Sequence, residues 1–256
     1  LRPDQVRAYE AEGRKPAVRF RLPDEGETVV EDLVKGTVPF DNATLTDFVI
    51  LRANGVPTYH FSAVFDDVDM GVTHVIRGED LFPSTPLHVH VFRALGRPTP
   101  PVFAHLPLIV GADRRKLSKR RDRTSVQQFR DEGYLPEAMV NYLALLGWAI
   151  GADRDVFTPD ELVAAFDLHA VNPNPARWDQ KKAEAINADH VRMLPLPEFT
   201  SRLLPVLRAA GVLGPQSGMG ELARLEAVAE LVQTRVQVLS EAVPLVAPFY
   251  VRGEEL

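Results

Sequence analysis

Val72-Thr73-His74-Val75-Ile76 is a compact β-branched run; Ser84-Thr85-Pro86 then opens a stretch that stops at Gly96, and a second apolar run extends from Ala104 to Val110. The outer two pieces read as strands and the middle one as a helix, with Pro near its start and Gly past its end as helix termini prefer. Strand, helix and strand in succession imply parallel pairing in an α/β layer. Further on, the pattern predicts a helix from about Thr124 to Glu132 and a strongly apolar one from Pro136 to Gly147.

Upstream of this core the grammar is different. Residues 1–12 read as a short polar helix, and Pro16 to Leu22 places Val18, Phe20 and Leu22 on one face of a half-buried strand. Thr28-Val29-Val30, Gly36 to Phe40 and Phe48 to Leu51 are short β-rich pieces separated by Asp-Glu-Gly, Asp-Asn and Ala-Asn-Gly punctuation. Residues 1–55 are therefore expected to form a small, mostly β module, and residues 56–150 the α/β layer. After Ile150 the chain reads as all-helical over residues 151–256. Thr158-Pro159-Asp160-Glu161 is a capping box, and Leu222, Leu225, Val228, Val232, Val236 and Leu239 form one stripe of a long amphipathic helix.

The composition sets outer bounds. The chain has 256 residues, 45% apolar and 25% charged, as in an ordinary globular protein of roughly two domains. Its longest uninterrupted apolar stretch, Tyr142 to Ala152, is 11 residues, short of the ~20 that a membrane-crossing helix needs. Without Cys there is no disulfide, thiolate zinc site or Cys nucleophile, and the cytoplasm is the default location. A formal net charge of -6 excludes bulk attraction to nucleic acid while leaving room for a local basic site. Leu1 is not a start methionine, and the chain reads as an excerpt of a longer one.

That local site is Arg114-Arg115-Lys116-Leu117-Ser118-Lys119-Arg120-Arg121-Asp122-Arg123, with seven basic residues in ten, between a predicted strand and a predicted helix. On charge alone it reads as a solvated loop. Its internal order is more specific: Lys-Leu-Ser-Lys-Arg resembles the K-M-S-K-S loop of class I aminoacyl-tRNA synthetases. Residues 55–61 (Gly-Val-Pro-Thr-Tyr-His-Phe), 64–80 (Val-Phe-Asp-Asp-Val-Asp-Met-Gly-Val-Thr-His-Val-Ile-Arg-Gly-Glu-Asp), Ser84-Thr85-Pro86 and Gly133 to Ala138 resemble the glutamyl-tRNA synthetases in order and spacing.

The resemblance implies the second half of a Rossmann-type catalytic domain, preceded by part of a mostly β insertion that binds the tRNA acceptor end and followed by a helical stem-contact domain. It implies ATP-dependent activation of L-glutamate, with Mg2+, and transfer to the 3′-terminal ribose of tRNA(Glu). Lys116, Ser118 and Lys119 are then the catalytic loop, with Lys116 and Lys119 on the ATP phosphates. Tyr59 and Arg77 bind glutamate, and their residue types suit it: a hydroxyl and a fixed guanidinium can both hold a carboxylate. Asp80 reads as a contact near the nucleotide or its Mg2+, or as an exposed strand-end carboxylate. Asp66, Asp67 and Asp69 fall in a helix and its end, and His60 and His74 read as structural, since no further ligand has metal-site spacing around them.

Arg120, Arg121, Lys181, Lys182 and Asn187 match positions that contact tRNA, with a solvated helix face as the competing reading for the two lysines. By the same resemblance, Ala63 stands where some relatives carry a polar residue, and Ala185 where a tryptophan is expected shortly after Lys182. The family's H-I-G-H motif and anticodon-binding region are not in these residues. The expectation is accordingly a monomer when complete and an inactive segment when alone. Two other functions are compatible: a paralogue that glutamylates a modified tRNA base, and a non-catalytic tRNA binder.

Overall fold

The computed structural model describes residues 2–117, 125–216 and 218–250. They pack as two units, one of residues 1–108 with 168–173 and one of residues 109–167 with 174–256.

The first unit opens with α1 (Pro3–Ala11) and β1 (Val18–Phe20), whose antiparallel partner is β4 (Phe48–Leu51). Between them, β2 (Glu27–Asp32) and β3 (Gly36–Asp41) form an antiparallel hairpin. Next come α2 (Tyr59–Asp69), β5 (His74–Gly78), α3 (Thr85–Ala94) and β6 (Val102–Leu106). β5 and β6 are parallel neighbours joined through α3, as the strand-helix-strand grammar requires. The sheet order is β3-β2-β6-β5, which corrects the expectation of a separate β module ending at residue 55. β2 meets β6 in parallel through Asp32 and Phe103, so the early hairpin extends the same sheet. Alternation along β2 buries Thr28, Val30 and Asp32 and exposes Glu27, Val29 and Glu31. The core beneath gathers Val30, Val64, Val89, Val91, Phe92 and Phe103.

The second unit starts at β7 (Ile109–Val110) and continues through α4 (Val126–Asp131), α5 (Pro136–Leu145), α6 (Pro159–Ala165), β8 (Ala176–Arg177), α7 (Gln180–Met193), α8 (Leu196–Ala209), α9 (Met219–Val232) and α10 (Ala242–Val246). The Thr158 capping box forms as read: the hydroxyl accepts the Glu161 N–H, and the Glu161 carboxylate accepts the Thr158 N–H. Two expectations are corrected. The region after Ile150 is not wholly helical, because Ala176 and Arg177 pair in parallel with Ile109 and Val110. The apolar stripe is not one helix either. α9 ends at Val232, a 3₁₀ turn (Gln233–Arg235) follows, and Val236 and Leu239 reach the core from extended and 3₁₀ segments. Burial of Leu225, Val228, Val232, Val236 and Leu239 explains why the periodicity overran the helix: the core selects apolar residues whatever backbone delivers them.

One close approach ties this unit together. Gly133 has φ +89°, its carbonyl accepts the Leu239 N–H at 3.0 Å, and a Cβ at Gly133 would lie 2.8 Å from the backbone nitrogens of Leu239 and Ser240. Gly211 also has a left-handed φ, +75°, but open space around it. We expect Gly133→Ala to destabilise the chain by roughly 2–4 kcal/mol in urea unfolding and Gly211→Ala by only about 1 kcal/mol. Equal losses would show that the contact with Leu239 carries no cost.

Candidate active site

β5 delivers Arg77 to the carboxyl end of a parallel strand pair, where open α/β sheets hold their ligands. A guanidinium carries five hydrogens and no acceptor. The Arg77 Nε donates to His105 Nε2 at 3.0 Å and its Nη2 to Thr85 Oγ1 at 2.9 Å, with Leu81 O farther off at 3.4 Å. The other corner is held loosely: Nη1 lies 3.3 Å from His88 Nδ1 and 3.5 Å from the Tyr59 hydroxyl, the outer limit of a hydrogen bond. Arg77 is thus clamped along one edge and lightly engaged along the edge that faces Tyr59.

Tyr59 is the first residue of α2 and is 48% exposed. The chain enters that helix through a turn at Gly55, φ +81°, after which Thr58 donates its N–H to Ile50 O and its hydroxyl to Val49 O. The Tyr59 ring centre lies 5.8 Å from that of His88, and its hydroxyl is on the Arg77 side.

Behind Arg77 lies a fully buried pair. His105 Nδ1 is 2.5 Å from Asp32 Oδ2, and neither side chain is exposed. Asp32 Oδ1 accepts the backbone N–H groups of Val34, Lys35 and His105 at 3.0, 2.9 and 3.2 Å. Burial alone raises a carboxyl pKa, but the imidazole hydrogen bond and these amides outweigh it and hold Asp32 below its usual range. His88 is buried beside the Arg77 charge, with His60 and His105 adding to it, and is pushed from 6.5 down to about 3. Burial and then Arg77 lower His60 also, whose Nδ1 is 3.1 Å from His88 Nε2. Asp67 is raised, mainly by burial against the pull of Arg77.

Asp80 is exposed, in the 3₁₀ turn Glu79–Ser84 that follows β5. A Cβ on Gly78 would come within 2.6 Å of its Oδ1, so a residue without a side chain is what admits the Asp80 carboxylate there. Glu79 anchors the same turn by pairing with Lys35 and accepting the Leu108 N–H at 3.1 Å, and Lys35 also donates to Pro173 O at 3.0 Å. Asp66, Asp67 and Asp69 lie on α2 near its end, as read, and no group of three metal-ligating side chains occurs among the described residues. His74 is exposed, 3.0 Å from the Thr73 hydroxyl.

In the second unit, Lys116 is exposed and its backbone bridges Val110 in antiparallel fashion. The hairpin between them closes through Gly111 N to Arg115 O at 2.9 Å and places Arg114 at φ +61°, a strained value for a side-chain-bearing residue. Ser118, Lys119, Arg120 and Arg121 lie outside the described residues. Lys181 and Lys182 are exposed at the start of α7, and Lys182 forms an ion pair with Asp155 at 2.9 Å. Asn187 must be reassigned. It is fully buried, accepts the Leu135 N–H at 2.8 Å and donates to Gln237 O, so its amide is consumed in joining α5, α7 and the segment after α9 and does not face tRNA.

Reading by residue type missed Asp32, Thr85, His88 and His105. Signals existed: Asp32 takes an inward slot in an alternating strand, and His105 interrupts an apolar run.

The family model for class I tRNA synthetases (E and Q), catalytic domain, matches residues 1–185. A glutamate–tRNA ligase of a Nocardioides species is 48% identical over 99% of this chain and 52% of its own length, and one from Clavibacter sepedonicus is 46% identical over 100% and 51%. Among solved structures, a glutamate tRNA ligase from Elizabethkingia meningosepticum in complex with its amino acid superposes with TM-score 0.83 at 29% identity, covering 99% of this chain and 53% of that one. The chain thus spans about half the length of the relatives it matches.

The histidine cluster has a pH signature. His88 binds a proton at 6.5 when unfolded but only near 3 when folded, so the unfolded state takes up the extra proton in between and stability falls as pH drops through that window. Between about pH 7 and pH 5, above the main carboxylate range, we expect the urea midpoint to decrease and His88→Asn to flatten that decrease. A variant with the wild-type slope would exclude the assignment.

Proposed function

The chain belongs to the class I tRNA synthetases for glutamate and glutamine, and from that membership we propose that it carries the glutamate-recognising and phosphate-facing part of a glutamate–tRNA ligase. The observation that carries the reading is Arg77: a guanidinium clamped on one edge at a strand's carboxyl end, with its lightly held corner beside an exposed tyrosine hydroxyl. A carboxylate replaces those two long contacts with charge-assisted hydrogen bonds, and Tyr59 supplies the flanking donor.

In the proposed reaction a glutamate carboxylate oxygen attacks the α-phosphorus of ATP, an acyl-phosphate bond forms and pyrophosphate leaves. The 3′-terminal ribose hydroxyl of tRNA(Glu) then attacks the acyl carbon and AMP leaves. No covalent enzyme intermediate is needed. The protein contributes alignment, worth up to roughly 7–11 kcal/mol, and positive charge, ~3–4 kcal/mol for one well-placed donor. Lys116 and Lys119 bring that charge to the phosphates, and Ser118 belongs to the same loop. Asp80 offers one exposed carboxylate, which suits Mg2+ shared with ATP phosphates, the usual mode for that ion, and not a cage of protein ligands. Arg120, Arg121, Lys181 and Lys182 are assigned to the tRNA backbone, and the helices after Ile150 to its stem.

Among the described residues no helix is long and apolar enough to cross a membrane. We place the protein in the cytoplasm with its tRNA, as a monomer when complete.

The test is glutamate-dependent exchange of labelled pyrophosphate into ATP, with and without tRNA, on the polypeptide that carries this chain. Lys119→Ala is expected to lower exchange by about a hundredfold or more, and Arg77→Ala to raise the KM for glutamate while leaving that for ATP in place. Salt-dependent tRNA binding without exchange would instead favour a non-catalytic binder.

A further inference from the structure

We propose that Asp32, His105 and Thr85 form a positioning relay that fixes the tautomer of His105 and, through it, the orientation of Arg77. The inference rests on the reading of Arg77 as the carboxylate anchor and adds the groups that make it one.

Donor and acceptor bookkeeping allows one arrangement. Arg77 Nε can only donate, so His105 Nε2, 3.0 Å away, must present its lone pair. The proton of the neutral ring therefore sits on Nδ1, where Asp32 Oδ2 accepts it at 2.5 Å. Thr85 sits in the same contact: its hydroxyl oxygen accepts from Arg77 Nη2 at 2.9 Å and lies 3.1 Å from His105 Nε2, on the edge of the guanidinium that the imidazole holds. Asp32 is itself fixed, because its other oxygen is occupied by three backbone N–H groups. Arg77 Nη1 extends the pattern outward. It donates to His88 Nδ1, which leaves the proton on His88 Nε2 and makes His60 Nδ1 the acceptor.

Each member is sealed from water or nearly so: His105 and Thr85 are 0% exposed, His88 2% and Asp32 5%. A buried histidine whose two nitrogens are assigned by neighbours cannot turn over without breaking the set. The guanidinium is consequently held along its Nε–Nη2 edge by parts that do not touch a ligand, and only the Nη1 corner is left to meet one.

Asp32→Asn is the sharpest test. Asn keeps an oxygen for the three backbone N–H groups, so the turn is retained, but places an NH2 against His105 Nδ1. The ring must then shift its proton to Nε2, where it faces the Arg77 Nε–H. In the wild type, long-range 1H–15N spectra should show His105 as the Nδ1–H tautomer with a protected Arg77 Nε–H. In the variant the tautomer should invert and that protection disappear. In the exchange assay the KM for glutamate should rise roughly tenfold to a hundredfold, with the KM for ATP unchanged; mere loss of folded protein would lower kcat alone.

An Nε2–H tautomer in the wild type, or an inverted tautomer with an unmoved KM, would overturn the proposal. If Asp32→Asn does not fold, Thr85→Val removes one hydroxyl at constant shape, and an unchanged glutamate KM in it has the same force. Arg77→Ala separates the two readings. An unaltered glutamate KM there defeats the proposed function, whereas a raised KM there with none in Asp32→Asn or Thr85→Val defeats the relay alone.

Discussion

A guanidinium gives hydrogen bonds and cannot receive them, and that one-sidedness organises the first unit. Because Arg77 is donor-only, its neighbours have to be acceptors: two imidazole nitrogens, a hydroxyl, a carbonyl and a phenol oxygen. The neighbours' own neighbours are then constrained in turn. Asp32 has to be ionised, which its hydrogen bonds favour against burial, and His88 and His105 have to be neutral, which is the direction in which burial and the Arg77 charge shift them. The end of β2 with Asp32, β6 with His105 and the start of α3 with Thr85 and His88 supply those groups around Arg77 at the end of β5.

Much of the fold was legible from the chain. The parallel β5–α3–β6 unit follows from a β-branched run, a Pro-opened helix and a second apolar run, and the Thr158 cap from four residues in order. β2 and β3 were read as short β-rich pieces, but their pairing and their place in the sheet were not, since a parallel contact between Asp32 and Phe103 leaves no local mark. β8 is too short for periodicity to register, and α9 was overextended because burial continued after the helix stopped.

The site was half legible. Tyr59, Arg77 and Asp80 stand out by residue type and position, and all three lie about the end of β5 and the start of α2. The groups that hold them do not stand out, because His105 and Thr85 serve by facing inward from a strand and a helix, and only tertiary contact reveals whom they face. Asn187 shows the opposite error. It was assigned to tRNA by resemblance alone, yet its amide satisfies a backbone N–H and a carbonyl that burial would otherwise leave without partners.

The boundaries of the first unit bear on how the protein can be taken apart. Residues 168–173 belong to it although they follow the opening of the second unit by some distance in sequence, and the Pro173 carbonyl receives the Lys35 ammonium that also holds Glu79. A cassette cut after Leu108 would carry Tyr59, Arg77 and Asp80 but lose an acceptor for the lysine that steadies the turn between them. Transplanting this half-site into another scaffold therefore calls for two pieces of chain, and recombination at a single junction would exchange the visible residues while leaving part of their support behind.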